Sequence, residues 1–127
     1  MLAAGAHLLV EALGCTPAVL NDAEALERLL RRAAGAIGAR VVQAAFHRFS
    51  PQGVTGFLLL EESHLSLHTW PERGYAALDL FTCGAVDPEG ALPALREGLG
   101  AERLEVVRVA RGLLEGGAAV RVVTPSR

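Results

Sequence analysis

The sequence predicts an α+β domain, a two-layer sandwich in which a mostly antiparallel sheet carries two helices on one face. Three observations predict it. Seven short segments alternate in polarity or are rich in β-branched and aromatic residues, only two segments repeat apolar residues at helical spacing, and compact turns separate the strands.

In chain order, the first strand is expected near 6–14. Asn21 and Asp22 then open a helix, with Glu24 at capping-box spacing from Asn21. Leu26, Leu29, Leu30, Ala33 and Ile37 recur at helical spacing, and Gly38 is placed to stop the run. Strands near 40–49 and 54–61 flank the turn Ser50-Pro51-Gln52-Gly53, and strands near 64–70 and 75–83 flank Pro71-Glu72-Arg73-Gly74. Asp87-Pro88 starts a second helix that runs to about Leu99, weakened by Gly90 and Pro93. Strands near 103–110 and 118–123, separated by Gly116-Gly117, complete the set.

Successive side chains of a strand point to opposite faces, so parity divides the sheet. One face collects Leu8, Val10, Ala12, Val42, Ala44, Phe46, Leu58, Leu60, Ala76, Leu78 and Leu80, the natural seat for the helices. The other collects His7, Glu11, Gln43, His47, Phe49, Thr55, Phe57, Asp79, Phe81 and Cys83. Large apolar groups among titratable ones suit neither open water nor an ordinary core. This second face reads as a ligand face, a subunit interface or a half-exposed sheet.

The 127 residues make one domain without linker or repeat, 51% hydrophobic and 20% charged, with a net charge of −2. That balance offers no electrostatic footprint for nucleic acid or an anionic membrane. The basic cluster Arg28, Arg31 and Arg32 lies among Glu24 and Glu27 as a solvated helix face. The longest apolar runs, such as Phe57 to Leu60, fall far short of a membrane span. The start, MLAAGAHLLVEALG, lacks the basic first region of a secretory signal and reads as a strand. Cys15 and Cys83 are too few for a disulfide framework, so a cytoplasmic location with reduced thiols is expected. The apolar excess for so small a chain suggests that a partner covers part of it.

Chemistry concentrates in residues 61–72, EESHLSLHTWPE. A metal site could draw on His64, His68, His47 and Cys83, but on a strand His64 and His68 stand roughly 13 Å apart and cannot share one ion. A Ser/His or Cys/His hydrolase lacks its G-x-S-x-G elbow. A third possibility is a serine that attacks the peptide bond before it. A plain alternating strand with a satisfied histidine accounts for the same letters, and spacing alone leaves these readings open.

The stretch FHRFSPQGVTG followed by ESHLSLHTWPERGYAALDLFTCG closely resembles the prokaryotic S-adenosylmethionine decarboxylase proenzymes, as do the opening G-x-HLLVEALGC and the late Arg111-Gly112. The resemblance covers nearly the whole chain. It implies that Ser63 attacks the carbonyl of Glu62 and that β-elimination then cuts the chain. The products are a β chain, 1–62, and an α chain, 63–127, that begins with a pyruvoyl group. It implies His68 as proton acceptor in processing, Thr55 as an assistant to it, and Cys83 as proton donor in decarboxylation. Phe49 and His68 are expected to sandwich adenine, with Glu72 on the ribose hydroxyls. Many relatives carry serine where this chain has Thr55, whose extra methyl stiffens χ1 but keeps the hydroxyl.

The implied activity is decarboxylation of S-adenosylmethionine for polyamine synthesis. The pyruvoyl ketone would condense with the substrate amine and serve as electron sink, with neither pyridoxal phosphate nor metal. The expected assembly is a homodimer of αβ pairs with interfacial active sites. Rival readings are an arginine or ornithine decarboxylase on the same scaffold, and a non-processing paralogue that binds a ligand or partner. Parity places Cys83, Thr55 and Phe49 on the mixed face, and His68 is expected to join them.

Overall fold

The computed structural model describes residues 3–113 and 120–126. Strands β1 (Ala3–Leu13), β2 (Val41–Arg48), β3 (Val54–Leu60), β4 (Ser63–Trp70), β5 (Tyr75–Cys83), β6 (Arg103–Leu113) and β7 (Val120–Ser126) form one sheet. Its order is β2-β3-β4-β5-β1-β6-β7, with every neighbouring pair antiparallel. Strand β1 is thus interior, inserted between β5 and β6. Helices α2 (Ala23–Ala36) and α3 (Leu92–Leu99) supply the second layer, and a single turn, α1 (Pro17–Leu20), precedes α2. The expected α+β sandwich is the one observed. The Gly116-Gly117 turn and positions 118–119 of the last expected strand lie outside the described residues.

Helix α2 forms where the spacing places it, and its apolar stripe of Leu26, Leu29, Leu30 and Ala33 is fully buried. Its cap is Asp22, whose carboxylate accepts from the Ala25 N–H, and not a box built on Asn21. Asn21 instead accepts from the Gly53 N–H, tying the helix start to the β2–β3 turn. The second helix divides as Gly90 and Pro93 foreshadow: a 3₁₀ turn over Pro88–Ala91, then α3, with a proline in the first turn of each piece. Gly100, in the left-handed region at φ 63°, closes α3.

The core lies between the helices and one sheet face. Leu8, Val10, Ala12, Leu58, Leu60, Ala76, Leu78 and Leu80 are buried there as parity requires, joined by Leu65 and Leu67 of β4. Val42 departs from that assignment. A bulge between Val41 and Gln43 adds one residue to β2, so Val41 packs against the core and Val42 is 57% exposed. Ala44 and Phe46, beyond the bulge, return to the core side.

Cys15 is buried where β1 gives way to α1, and burial pushes its thiol up to about 11. The folded state disfavours the thiolate, so this contribution to stability is complete below the ordinary thiol pKa and is lost as pH rises towards 11. The urea midpoint is therefore expected to fall between pH 9 and 11, and to fall less in Cys15→Ala. Equal pH slopes for both proteins would rule out this source.

Candidate active site

The uncovered sheet face carries the polar chemistry. It presents His7, Glu11, His64, Ser66, His68 and Asp79 beside the exposed or half-exposed Leu9, Phe57, Leu59 and Phe81. A groove of about 800 Å³ runs along it, lined by Leu9, Glu11, His68, Ala77, Asp79 and Glu105. Tyr75 Oη donates to both carboxylate oxygens of Glu11 at 2.8 Å. Burial first, and then that hydrogen bond and charge, push the phenol up to about 12, so it remains a donor.

At one end of this face, β3 and β4 join through a two-residue hairpin, Glu61-Glu62, with Leu60 opposite Ser63. Such turns ordinarily use glycine or asparagine for their positive φ. Here the positive φ falls on Ser63, at 144°, the only non-glycine residue so placed among the described residues. A serine held there costs about 1–3 kcal/mol of backbone strain. The hairpin is fastened from both sides. The Glu62 carbonyl accepts from the Cys83 N–H at 3.0 Å, and the Glu62 carboxylate accepts from the Arg40 N–H at 3.0 Å. The Glu61 N–H in turn donates to the Arg40 carbonyl at 2.9 Å. Cys83 is an exposed free thiol at the end of β5, one residue beyond Thr82, the partner of Ser63. Glu62, Ser63 and Cys83 therefore form one cluster.

Of the other expected residues, Thr55 and His68 form a second. Thr55 and His68 are cross-strand partners on β3 and β4, with Thr55 Oγ1 3.1 Å from His68 Nδ1. His68 thus joins Thr55 on the mixed face. Phe49, 47% exposed, lies past the end of β2 with its ring 4.5 Å from that of His47. Glu72 sits in the 3₁₀ turn Pro71–Arg73 that follows β4. His68 is five residues along β4 from Ser63, about 16 Å at roughly 3.3 Å per residue. The two clusters do not meet within one chain.

A third group escaped the sequence reading as a unit. Asp79 Oδ2 lies 2.6 Å from His7 Nε2 and 2.8 Å from His64 Nε2, and Ser66 Oγ donates to its other oxygen. Burial would raise the Asp79 carboxyl, but the hydrogen bonds from Ser66, His64 and His7 outweigh it and hold the group below its ordinary pKa. Alternation had put His7 and Asp79 on one face; only the strand order β4-β5-β1 brings them to His64. Among the described residues this is the one group able to offer a metal ion three ligand atoms, all within 4.8 Å of one another. His68, which strand spacing keeps from sharing an ion with His64, is not part of it. No helix among the described residues is long and apolar enough to cross a membrane.

Fold and site together define a two-layer α+β protein whose chemistry lies on the open sheet face, with a strained serine at the start of one of its strands. The family model for S-adenosylmethionine decarboxylase matches residues 6–112. The S-adenosylmethionine decarboxylase proenzyme of Clostridium tetani is 48% identical over 118 residues, 92% of this chain and 94% of that protein. The corresponding proenzyme of Methanococcus maripaludis is 46% identical, covering 89% and 93%. The crystal structure of the adenosylmethionine decarboxylase from Aquifex aeolicus superposes with a TM-score of 0.83 at 30% identity, covering 93% of this chain and 98% of that one. A Trypanosoma brucei AdoMetDC monomer shares the fold alone, with a TM-score of 0.62 at 13% identity over 85% of this chain and 47% of its own. The chain belongs to the S-adenosylmethionine decarboxylase family.

Proposed function

We propose that this chain is a self-processing, pyruvoyl-dependent decarboxylase of S-adenosylmethionine, cut between Glu62 and Ser63 into chains of residues 1–62 and 63–127. The observation that carries the reading is the Glu62-Ser63 bond itself. Its carbonyl is held by the Cys83 N–H, and the residue after it bears the strained φ of 144°. A donor on the carbonyl oxygen stabilises the negative charge that develops there when Ser63 Oγ adds to the carbon. The acyl group then passes from the Ser63 nitrogen to Oγ, leaving an ester and a free amine. A base removes the Ser63 Cα proton, the Cβ–Oγ bond breaks, and Glu62 leaves as a carboxylate. The resulting enamine tautomerises, takes up water and releases ammonia. Once the peptide link is broken, the constraint on Ser63 φ is gone, so the cut relieves the strain.

The base in this scheme is His68, oriented by Thr55, and the donor of the product proton is Cys83. The pyruvoyl group supplies the electron sink for the charge left when carbon dioxide departs. Because about 16 Å separates His68 from Ser63 along one strand, the histidine that serves Ser63 comes from a second copy. Two copies that oppose their mixed faces in an isologous dimer bring the partner's Thr55 and the partner's His68 to the Ser63–Cys83 end. Leu9, Phe57, Leu59 and Trp70, each 39–46% exposed on that face, supply the apolar surface such an interface buries. The partner's Phe49 and the partner's Glu72 then approach the same end, where a ring face and a carboxylate suit adenine and ribose hydroxyls.

The test is intact mass together with carbon dioxide release from S-adenosylmethionine. Active protein should consist of two fragments, the later one blocked by a pyruvoyl group. Fully active protein made only of intact chain would refute the reading. Cys83→Ala keeps its backbone N–H, so it should still be cut, while decarboxylation per pyruvoyl falls by about 10²–10⁴-fold with the lost proton donor. Unchanged turnover in that variant would place the donor elsewhere.

A further inference from the structure

We infer that Asp79 is a positioning residue: acting through His64, it holds the chain end that the cut creates, so that turnover depends on it while the cut does not. The inference rests on the processing reading above. After cleavage between Glu62 and Ser63, the reacting group sits on residue 63, the first of β4, and the covalent link to β3 is gone. Ladder pairing to β5 persists at Ser63 opposite Thr82 and His64 opposite Phe81. A free strand end nevertheless opens at little cost unless side chains fasten it.

His64 is the side chain in position to do so. Its Nε2 reaches Asp79 on β5 at 2.8 Å, its ring stacks on Phe57 of β3 at 5.5 Å and 23°, and its edge meets His7 of β1 at 5.9 Å. Phe57 and His7 belong to residues 1–62, Asp79 and Ser66 to residues 63–127. The clamp therefore joins the two fragments beside the new end, by contacts that the cut leaves in place.

The protonation of the clamp follows from its neighbours. Arg111 Nη1 lies 3.3 Å from His7 Nδ1, and a guanidinium only donates, so Nδ1 accepts and the proton of His7 sits on Nε2. That proton is donated to Asp79. A metal ion on these three residues would need the His7 Nε2 lone pair, which forces a proton onto Nδ1 against Arg111. The arrangement favours hydrogen bonds over an ion, with Asp79 accepting from both rings and from Ser66.

The experiment compares Asp79→Asn in two backgrounds, the self-processed enzyme and the uncut Ser63→Ala chain, by hydrogen exchange at residues 64–66. Exchange there should rise at least about tenfold on Asp79→Asn in the processed enzyme, because the freed end opens, and change little in the uncut chain, where β3 still holds it. In the processed Asp79→Asn protein, kcat for S-adenosylmethionine should fall roughly 10–100-fold, as displacement of a reacting group by about 1 Å implies, with KM within about threefold. Equal effects in both backgrounds, an uncut Asp79→Asn protein, or an unchanged kcat would overturn the inference. Should Asp79→Asn fail to fold, His64→Gln, read by the same exchange and kinetic measurements, decides. The intact mass of the wild-type sample separates the two claims: if active wild type is uncut, the processing reading falls first.

Discussion

Ser63→Ala should accumulate as one uncut chain with no decarboxylation above background. In the proposed scheme the hydroxyl is needed twice, as the nucleophile on the Glu62 carbonyl and as the leaving oxygen in the elimination, and alanine supplies neither. The fold has little reason to change. Ser63 is half-buried, it is hydrogen-bonded through the backbone ladder, and no side-chain hydrogen bond of its own holds the hairpin, which Arg40 and Cys83 fasten through Glu62. Losing the hydroxyl should cost the molecule under about 0.5 kcal/mol, as at other sites away from buried networks. Activity, in contrast, should lose the proposed electron sink and with it the whole enzymatic acceleration, at least about 10⁶-fold. Intact mass, a thermal melt and carbon dioxide release on one sample make the separation. A Ser63→Ala protein that decarboxylates at a measurable fraction of the wild-type rate would end the pyruvoyl reading.

Mixed dimers provide the second large effect. His68→Ala alone should remain uncut over times in which wild type is fully cut, since general base catalysis contributes about 10²–10⁴-fold. Ser63→Ala alone has no nucleophile. When the two are produced together, the proposed dimer gives the His68→Ala chain, which keeps its Ser63 and Cys83, the partner's Thr55 and the partner's His68 on the Ser63→Ala copy. The His68→Ala chain should then be cut, while the Ser63→Ala chain stays whole. Distinct affinity tags allow each chain to be weighed separately. If no rescue occurs in verified mixed dimers, His68 does not act across the interface, and the separation of about 16 Å along β4 would exclude it from direct proton abstraction within the chain. The base would then be another group.

Legibility in the sequence differed from element to element. The stripe of Leu26, Leu29, Leu30 and Ala33 marked α2 because helical periodicity is a local property, satisfied before any tertiary contact exists. Gly90 and Pro93 flagged a weak helix, and the structure divides it there. Val42 was misplaced because a bulge is decided by how two strands fit together. One extra residue in β2 reverses the alternation on one side of it, and neither strand alone announces this. The cap at Asp22, in place of Asn21, was decided by the demand of the Gly53 N–H for an acceptor 32 positions away.

The candidate site followed the same division. The motif from Glu62 to Glu72 and the later Cys83 named the residues, and alternation put Thr55, Phe49 and Cys83 on one face. The strained φ at Ser63, the Cys83 N–H on the Glu62 carbonyl and the meeting of His7, His64 and Asp79 could not be read that way. The first belongs to the β3–β4 hairpin, the second needs β5 beside β4, and the third needs β1 beside β5, although β1 and β5 are separated by more than 60 positions in the chain. By itself the sequence determined the α+β class, the helical stripe, the apolar sheet face and the residue types available for chemistry, because each is set by spacing along the chain. The tertiary structure alone decided which of those residues touch, and that Ser63 and His68 stand at separate places on β4. The physical reason is that strand order and register are fixed by long-range packing and hydrogen bonding, which no local spacing encodes.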